Sequence, residues 1–153
     1  MDADDSGPTL IPADECLRLL TSVSIGRIAY TKRALPAVEP VRFAVDANEI
    51  VIRIDAGSTL SATIPDTIVA FQAEHLDDET RTGWTVNVVG SAQEVTEPGD
   101  ITRLRGTGPP TWALARGDQF IRIAPGIVTG RELMVAAEFP PSFRTAFTTP
   151  GPT

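Results

Sequence analysis

Residues 40–55 read PVRFAVDANEIVIRID, and their pattern is the strongest indication of the fold class. Apolar and polar side chains alternate with a period of two in its first half, which is typical of a half-buried antiparallel strand. A short turn at residues 46–48 leads into a second alternating run, in which Ile50, Ile52 and Ile54 share one face. The stretch therefore predicts two antiparallel strands with one face in a hydrophobic core, the first of them spanning residues 35–45.

The same alternation recurs on both sides of this strand pair and predicts further strands there. Gly90 lies inside the longest of them, where it indicates a bulge, a bend or a close approach of another backbone. Residues 57–65 are expected to form a loop with one helical turn, and the acidic residues 74–83 an exposed loop. The further predicted strands are residues 25–31, 67–73, 84–95, 119–124 and 127–134.

Two short helices are predicted beside the strands. Apolar residues recur at helical spacing from Pro12 onward, and this helix of about three turns is expected to cap one end of the fold. A second helix is expected to begin at Pro98, with Ile101 and Leu104 on its inner face. Because strands dominate and their connections are short, the pattern predicts an antiparallel barrel that is closed or nearly closed.

Length and charge limit the domain count and the partners. The 153 residues match one domain, expected at residues 12–136 between a flexible N-terminal arm at 1–11 and a Pro- and Thr-rich tail at 137–153. The net charge is -7, from 20 acidic and 13 basic residues, and no dense run of Lys or Arg offsets it. Nucleic acid and anionic membrane are therefore not expected as partners, because both bind positively charged surfaces.

The N-terminus predicts a cytoplasmic protein. It is acidic and lacks the basic start and the apolar stretch of a signal peptide. No run in the sequence approaches the roughly 18 apolar residues of a membrane helix.

The usual catalytic signatures are missing. Cys16 is the only cysteine and His75 the only histidine, so neither an internal disulfide nor a thiolate metal site is expected. His75 is interpreted as a solvated loop residue, with metal binding alongside the acidic residues 77–79 as the open alternative. No phosphate-binding Gly-rich loop, His-Glu-x-x-His motif or nucleophile elbow is present. If the chain is an enzyme, a cofactor is expected to carry the chemistry.

Five fragments, taken in order, carry a family resemblance. They are IGRIA at residues 25–29, PVRFAVD at 40–46, IRIDAGSTL at 52–60, GWTVNVVGSA at 83–92 and IAPGIVTGR at 123–131. In this order they resemble the pyridoxamine 5′-phosphate oxidase-like family of FMN-binding split-barrel proteins. The resemblance implies a mainly β fold, a six- to seven-stranded antiparallel split β-barrel with two or so peripheral helices. It also implies a homodimer that holds FMN between its protomers.

The resemblance implies a set of cofactor-binding residues. Arg53 would bind the phosphate through its guanidinium, and Ser58 and Thr59 would add hydroxyls and backbone N–H groups. Many relatives have a Lys where Thr59 stands, and loss of that charge-assisted contact costs about 1.5–3 kcal/mol. The deazaflavin F420 therefore stays open as an alternative cofactor. The full implied set is Arg42, Phe43, Arg53, Ser58, Thr59, Leu60, Trp84 and Arg131.

The function that the resemblance implies is an FMN-dependent oxidoreductase acting on a small-molecule substrate or electron donor. No catalytic residue is assigned, because no side chain resembles a committed general acid. Two alternatives remain open: a non-catalytic protein that binds or carries a flavin, F420 or a haem-like ligand, and a barrel that has lost its ligand.

Overall fold

The computed structural model describes residues 9–110 and 117–134. The predicted tail at 137–153 lies outside these residues, as do residues 1–8 of the predicted arm. Seven strands and three helices follow one another along the described chain. They are β1 Thr9–Leu10, α1 Ala13–Leu20, β2 Ile25–Lys32, β3 Leu35–Asp46, β4 Glu49–Asp55, α2 Thr59–Thr63, β5 Thr67–Asp77, β6 Thr82–Glu94, α3 Pro98–Thr107 and β7 Asp118–Met134.

The strands form one antiparallel sheet that closes on itself. Its order is β1-β7-β4-β3-β2-β5-β6, and β7 also pairs with β6. Closure depends on the length of β7, since residues 118–123 pair with β4 while residues 121–134 pair with β6. The prediction of a mainly β, antiparallel split barrel with peripheral helices is confirmed.

Tight hairpins set the register of β2, β3 and β4. Arg33 and Ala34 join β2 to β3, and Ala47 and Asn48 join β3 to β4. All four residues have a positive φ between 51° and 64°. Two consecutive left-handed residues make a type I′ turn, whose twist matches that of the flanking strands. The turn predicted at residues 46–48 is confirmed.

The prediction of an exposed loop at residues 74–83 was wrong. β5 continues to Asp77 and β6 begins at Thr82, so that His75 pairs with Trp84 across the hairpin. The acidic composition reflects solvent exposure of the hairpin end and not an absence of regular structure, because a strand can present charged side chains to water.

The two last predicted strands are a single strand, and the break predicted at residues 125–126 was wrong. β7 passes through Pro125 without ending, because the register with β6 shifts between Val89 and Gly90 at this point. A Cβ on Gly90 would overlap the carbonyl oxygen of Ala124. The close backbone approach predicted at Gly90 is therefore confirmed.

Two hydrophobic clusters stabilise the barrel. The larger one fills the interior and is closed at one end by α1, whose Cys16 and Leu20 are fully buried. The helix has eight residues, about two turns instead of the expected three. Burial raises the pKa of the Cys16 thiol. The smaller cluster lies outside the barrel, where α3 covers Val51 of β4 and Phe120 of β7.

Candidate functional site

The outer surface of the barrel has two faces, of which one is covered by α3 and the other is not covered by a described helix. The covered face is the part of β4 and β7 beneath α3, with Val51 and Phe120 buried against Leu104. The open face is formed by the outward side chains of β3, β2, β5, β6 and the middle of β7. No described helix packs on the open face, so its side chains are the accessible ones.

One line of apolar side chains crosses the open face. Pairing between neighbouring strands sets these residues side by side, and we call them the apolar row. Its two ends are 62% and 61% exposed. The three residues between them are half-buried. A single exposed aliphatic side chain is ordinary, but apolar side chains in line across five strands make this surface a candidate contact site. The apolar row is Val38, Ala29, Ala70, Val89 and Ile127.

A line of polar side chains runs beside the apolar row, two residues further along each strand. Arg27, Gln72 and Asn87 are its central members, and we call these three the polar row. Gln72 Nε2 donates to Asn87 Oδ1 at 2.9 Å. Arg27 Nη1 donates to Glu74 Oε1 at 3.2 Å. A cavity of about 190 Å³ lies between the two rows, above Ala70.

Arg42 and Arg53 are neighbours across β3 and β4, at the border between the two faces. The Arg53 side chain is 16% exposed, and its Nη2 lies 2.6 Å from Asp118 Oδ2. Its Nη1 donates to the Pro109 carbonyl at 3.3 Å, and its guanidinium lies 5.2 Å from the centre of the Phe120 ring. In the described chain Arg53 thus ties β4 to β7 beneath α3.

Asp118 is shared between two guanidinium groups. Arg105 Nη2 lies 3.0 Å from Asp118 Oδ1, and Arg53 binds the other oxygen. The hydrogen bonds from Arg105, and then those from Arg53, hold the pKa of the Asp118 carboxyl below its usual range. Sequence reasoning proposed Arg53 as a phosphate ligand without finding this partner, which lies 65 residues further along the chain.

The predicted phosphate loop forms the start of α2. Gly57 has φ +88°, a left-handed conformation that glycine adopts without strain. The Ser58 hydroxyl accepts a hydrogen bond from the Ser61 N–H at 3.1 Å and caps the helix. Thr59 is exposed, whereas Leu60 is buried in the interior cluster.

The other predicted site residues lie apart from one another. Phe43 is buried, with its ring edge-to-face against Phe71 at 4.7 Å. Arg131 is exposed on the outer surface, where its strand position pairs with Thr85. Trp84 lines a different pocket of about 380 Å³, between α1 and the end of the β5–β6 hairpin. One chain therefore brings together Arg42 and Arg53, while Trp84 lies on the other side of the sheet from Arg131.

Within residues 9–110 and 117–134, no three His, Cys, Asp or Glu side chains lie close enough together to hold a metal ion. Asp77, close to His75 in sequence, instead accepts hydrogen bonds from the backbone N–H groups of Thr80 and Glu79. These bonds lower the pKa of Asp77. In the same part of the chain no helix has the length and apolar character needed to cross a membrane.

The apolar and polar rows were not found by sequence reasoning. The sequence feature that points to them is a small residue two positions from a polar one on the same face of a strand. Ala29 with Arg27 and Ala70 with Gln72 are examples. Each strand alone shows only a half-buried pattern. The rows exist because strand register sets residues from five strands at the same level, and register depends on pairings distant in sequence.

Comparisons with known proteins agree with the fold. A family model described as pyridoxamine 5′-phosphate oxidase matches residues 12–132. The uncharacterised Mycobacterium tuberculosis protein Rv0080 is 35% identical over 132 residues, which cover 83% of this chain and 86% of that protein. In two solved structures, the match with this protein covers 98% of the solved chain. An FAD binding protein from Mycobacterium smegmatis is 29% identical over 82% of this chain, with a TM-score of 0.70. A Corynebacterium glutamicum protein named after pyridoxamine 5′-phosphate oxidase is 28% identical over 87%, with a TM-score of 0.75.

Proposed function

The chain belongs to the pyridoxamine 5′-phosphate oxidase family. On that premise we propose that two copies meet through their open faces, hold a flavin nucleotide between them and act as a flavin-dependent oxidoreductase. The observation that carries the proposal is the open face itself, where an exposed apolar row borders a polar row and a cavity lies between them.

A second copy of the chain is the proposed cover of the open face. Val38, Ile68 and Ile127 are each more than 60% exposed on one sheet surface. Burying apolar surface stabilises an assembly by about 25 cal/mol per Å². A two-fold interface presents the same patch from both partners, so one apolar row would cover the other. Ala29 and Ala70 leave a depression between the longer side chains, which provides space for a flat ring.

The side chains around the open face suit the chemistry of a flavin. The apolar row offers contacts to the flat ring, and the polar row offers hydrogen bonds to its heteroatoms. Arg42 and Arg53 are neighbours across β3 and β4 at the border of the face, and together they form the proposed phosphate site. Ser58 and Thr59 at the start of α2, and Arg131 and Trp84 from the partner or the same copy, remain proposed contacts. Phe43 and Leu60 would support the site from the core.

FMN is the flavin proposed from the sequence resemblance. The Mycobacterium smegmatis relative is an FAD binding protein. FMN and FAD share the isoalloxazine ring, the ribityl chain and the first phosphate, so the same residues would serve either one. F420 has a related ring and is the alternative that the absence of a Lys at Thr59 leaves open.

When bound, a flavin supplies hydride or single-electron transfer between a donor and an acceptor. The residues of this chain would hold and orient the ring and exclude water from it. The proposed substrate or electron donor is a small molecule that reaches the ring at the edge of the dimer. No side chain is assigned to proton transfer.

The experiment is native mass spectrometry and absorption spectroscopy on the freshly purified full chain. We expect a dimer that carries flavin, with absorption near 450 nm, and the ligand mass distinguishes FMN, FAD and F420. Protein that stays colourless and monomeric after addition of all three would contradict the proposal. Bound flavin that no reduced nicotinamide or other donor can reduce would instead identify a flavin carrier.

A pair of charge-matched variants tests the phosphate ligand. Arg42→Ala should weaken FMN binding about tenfold to hundredfold, because it removes a charge-assisted hydrogen bond. Lys32→Ala is the control, since Lys32 is an exposed cation at the end of β2 and changes the net charge equally. Equal FMN affinities for the two variants, measured by fluorescence quenching, would remove Arg42 from the site.

A further inference from the structure

We propose that the polar row recognises the pyrimidine edge of the bound ring, and that Gln72 and Asn87 thereby select an isoalloxazine or deazaflavin over a haem-like ligand. The inference rests on the proposed function, since it requires a ring on the open face. The observation behind it is the order in which three side chains present hydrogen-bond donors and acceptors.

The three side chains form a wall beside a low floor. Arg27 pairs with Gln72 across β2 and β5, and Gln72 pairs with Asn87 across β5 and β6. Adjacent strands lie about 4.8 Å apart, so the wall is about 10 Å wide. The floor beside it is lowest at the methyl groups of Ala29 and Ala70, which Val38 and Val89 flank, and the cavity of about 190 Å³ occupies this step.

The hydrogen bond between the two amides determines what the wall presents. Gln72 donates from Nε2 to Asn87 Oδ1 at 2.9 Å, which leaves Gln72 Oε1 as an acceptor and Asn87 Nδ2 as a donor. Neither of these atoms makes another side-chain hydrogen bond to residues 9–110 or 117–134. Arg27 binds Glu74 through Nη1 and keeps further N–H donors. Across the three strands the wall therefore presents a donor, an acceptor and a donor.

The pyrimidine edge of a flavin presents the complementary order. Its C2 carbonyl, N3–H and C4 carbonyl are an acceptor, a donor and an acceptor in sequence. A ring lying on Ala29 and Ala70 would meet the wall in its own plane, with N3–H directed at Gln72 Oε1. FMN, FAD and F420 share this edge. A haem-like ring has no N–H on its edge and would leave the Gln72 carbonyl unpaired.

The distance between the rows also suits an elongated tricyclic ring. Two residues along a strand span about 6.6 Å, which separates the polar row from the apolar row. A ring with its pyrimidine end at the wall would therefore extend its apolar benzenoid end over the apolar row. Its ends would thus meet surfaces of matching polarity.

The experiment uses lumiflavin, which lacks the ribityl phosphate, and 3-methyllumiflavin, which lacks the N3–H. Binding of both to the full chain is measured by quenching of their fluorescence. We expect the wild type to bind lumiflavin about tenfold more tightly than its 3-methyl derivative, the effect of one hydrogen bond to a desolvated carbonyl. Gln72→Leu should weaken lumiflavin binding about tenfold and abolish the preference. Asn87→Leu should weaken lumiflavin binding to a similar extent.

Gln93→Leu is the matched control, because Gln93 is an exposed amide on β6 at a distance from the cavity. It should leave both affinities unchanged, and circular dichroism should show the same fold for all variants. Equal binding of the two probes by the wild type, or a preference that survives in Gln72→Leu, would overturn the inference while FMN binding still stands. A wild type that binds neither FMN nor lumiflavin would overturn the proposed function, and this inference with it.

Discussion

The covered face and the open face of the barrel are built alike and differ in what lies over them. Both carry outward apolar side chains on antiparallel strands. Val51 and Phe120 on the covered face are at most 2% exposed, whereas Val38 and Ile127 on the open face are more than 60% exposed. The difference comes from α3, which packs Leu104 on the covered face. Outward apolar residues thus predict a cover, but they do not say whether the chain itself supplies it.

The two faces also differ in how their charges are arranged. Ion pairs fasten α3 at two points of the covered face, since Asp46 binds Arg103 and Arg122 while Asp118 binds Arg105 and Arg53. Among the described residues, one exposed pair between Arg27 and Glu74 borders the open face. The covered face is therefore built for permanent packing, and the open face keeps hydrogen-bonding groups available.

The largest expected effect is on the stability of the covered face. Phe120→Ala should lower the free energy of unfolding by about 3–5 kcal/mol, because it leaves a cavity beneath α3. Urea unfolding of the dilute, monomeric protein measures this. Ile68→Ala on the open face is the control and should change the free energy by less than about 0.5 kcal/mol, since Ile68 is 68% exposed. Similar losses for both variants would contradict the distinction between the faces.

The next effect concerns association through the open face. Val38→Asp should weaken the dimer about hundredfold, because a charge would be buried without a partner in the apolar row. Sedimentation equilibrium over a range of concentrations measures this. Leu35→Asp introduces the same charge at a side chain of similar exposure, at the hairpin between β2 and β3 and off the open face. A dimer that resists Val38→Asp would exclude the open face as the interface.

The smallest effect is on the ion pairs beside the covered face. Asp118→Asn should lower the free energy of unfolding by about 1–2 kcal/mol at neutral pH, since it removes charge-assisted hydrogen bonds that are partly screened by water. The Gln93→Leu protein serves here as the unperturbed reference. An unchanged free energy would mean that the pairs with Arg53 and Arg105 contribute nothing to stability.

The same carboxylate gives the pH dependence a definite sign. The pKa of Asp118 is lower in the folded chain than its usual value of about 3.9, so the unfolded chain takes up a proton first. The stabilisation is complete above that value and is lost as pH falls below about 4 through the folded pKa. Unfolding measured between pH 7 and pH 3 should therefore show a shallower acid loss in Asp118→Asn than in the wild type.

Local patterns in the sequence predicted much of the fold and part of the site. The alternation at residues 40–55, the start of α3 at Pro98 and the close approach at Gly90 all depend on near neighbours, and all are confirmed. The loop at 74–83 was wrong because charge indicates exposure, which a hairpin end shares with a loop. The break at Pro125 was wrong because Gly126 is accommodated as an extra residue within β7, and the pairing with β6 resumes on both sides of it.

Local sequence was enough to predict which residues of a strand face outward, because the period of two along a strand is a local property of the backbone. It also placed Arg42 and Arg53 on neighbouring strands joined by a short turn, and the structure then showed that the two residues pair directly. Three features depend on long-range packing: the ion pair between Arg53 and Asp118, the cover that α3 provides for one face but not the other, and the alignment of the polar row. These contacts join segments far apart in the chain, and their geometry is set by barrel closure.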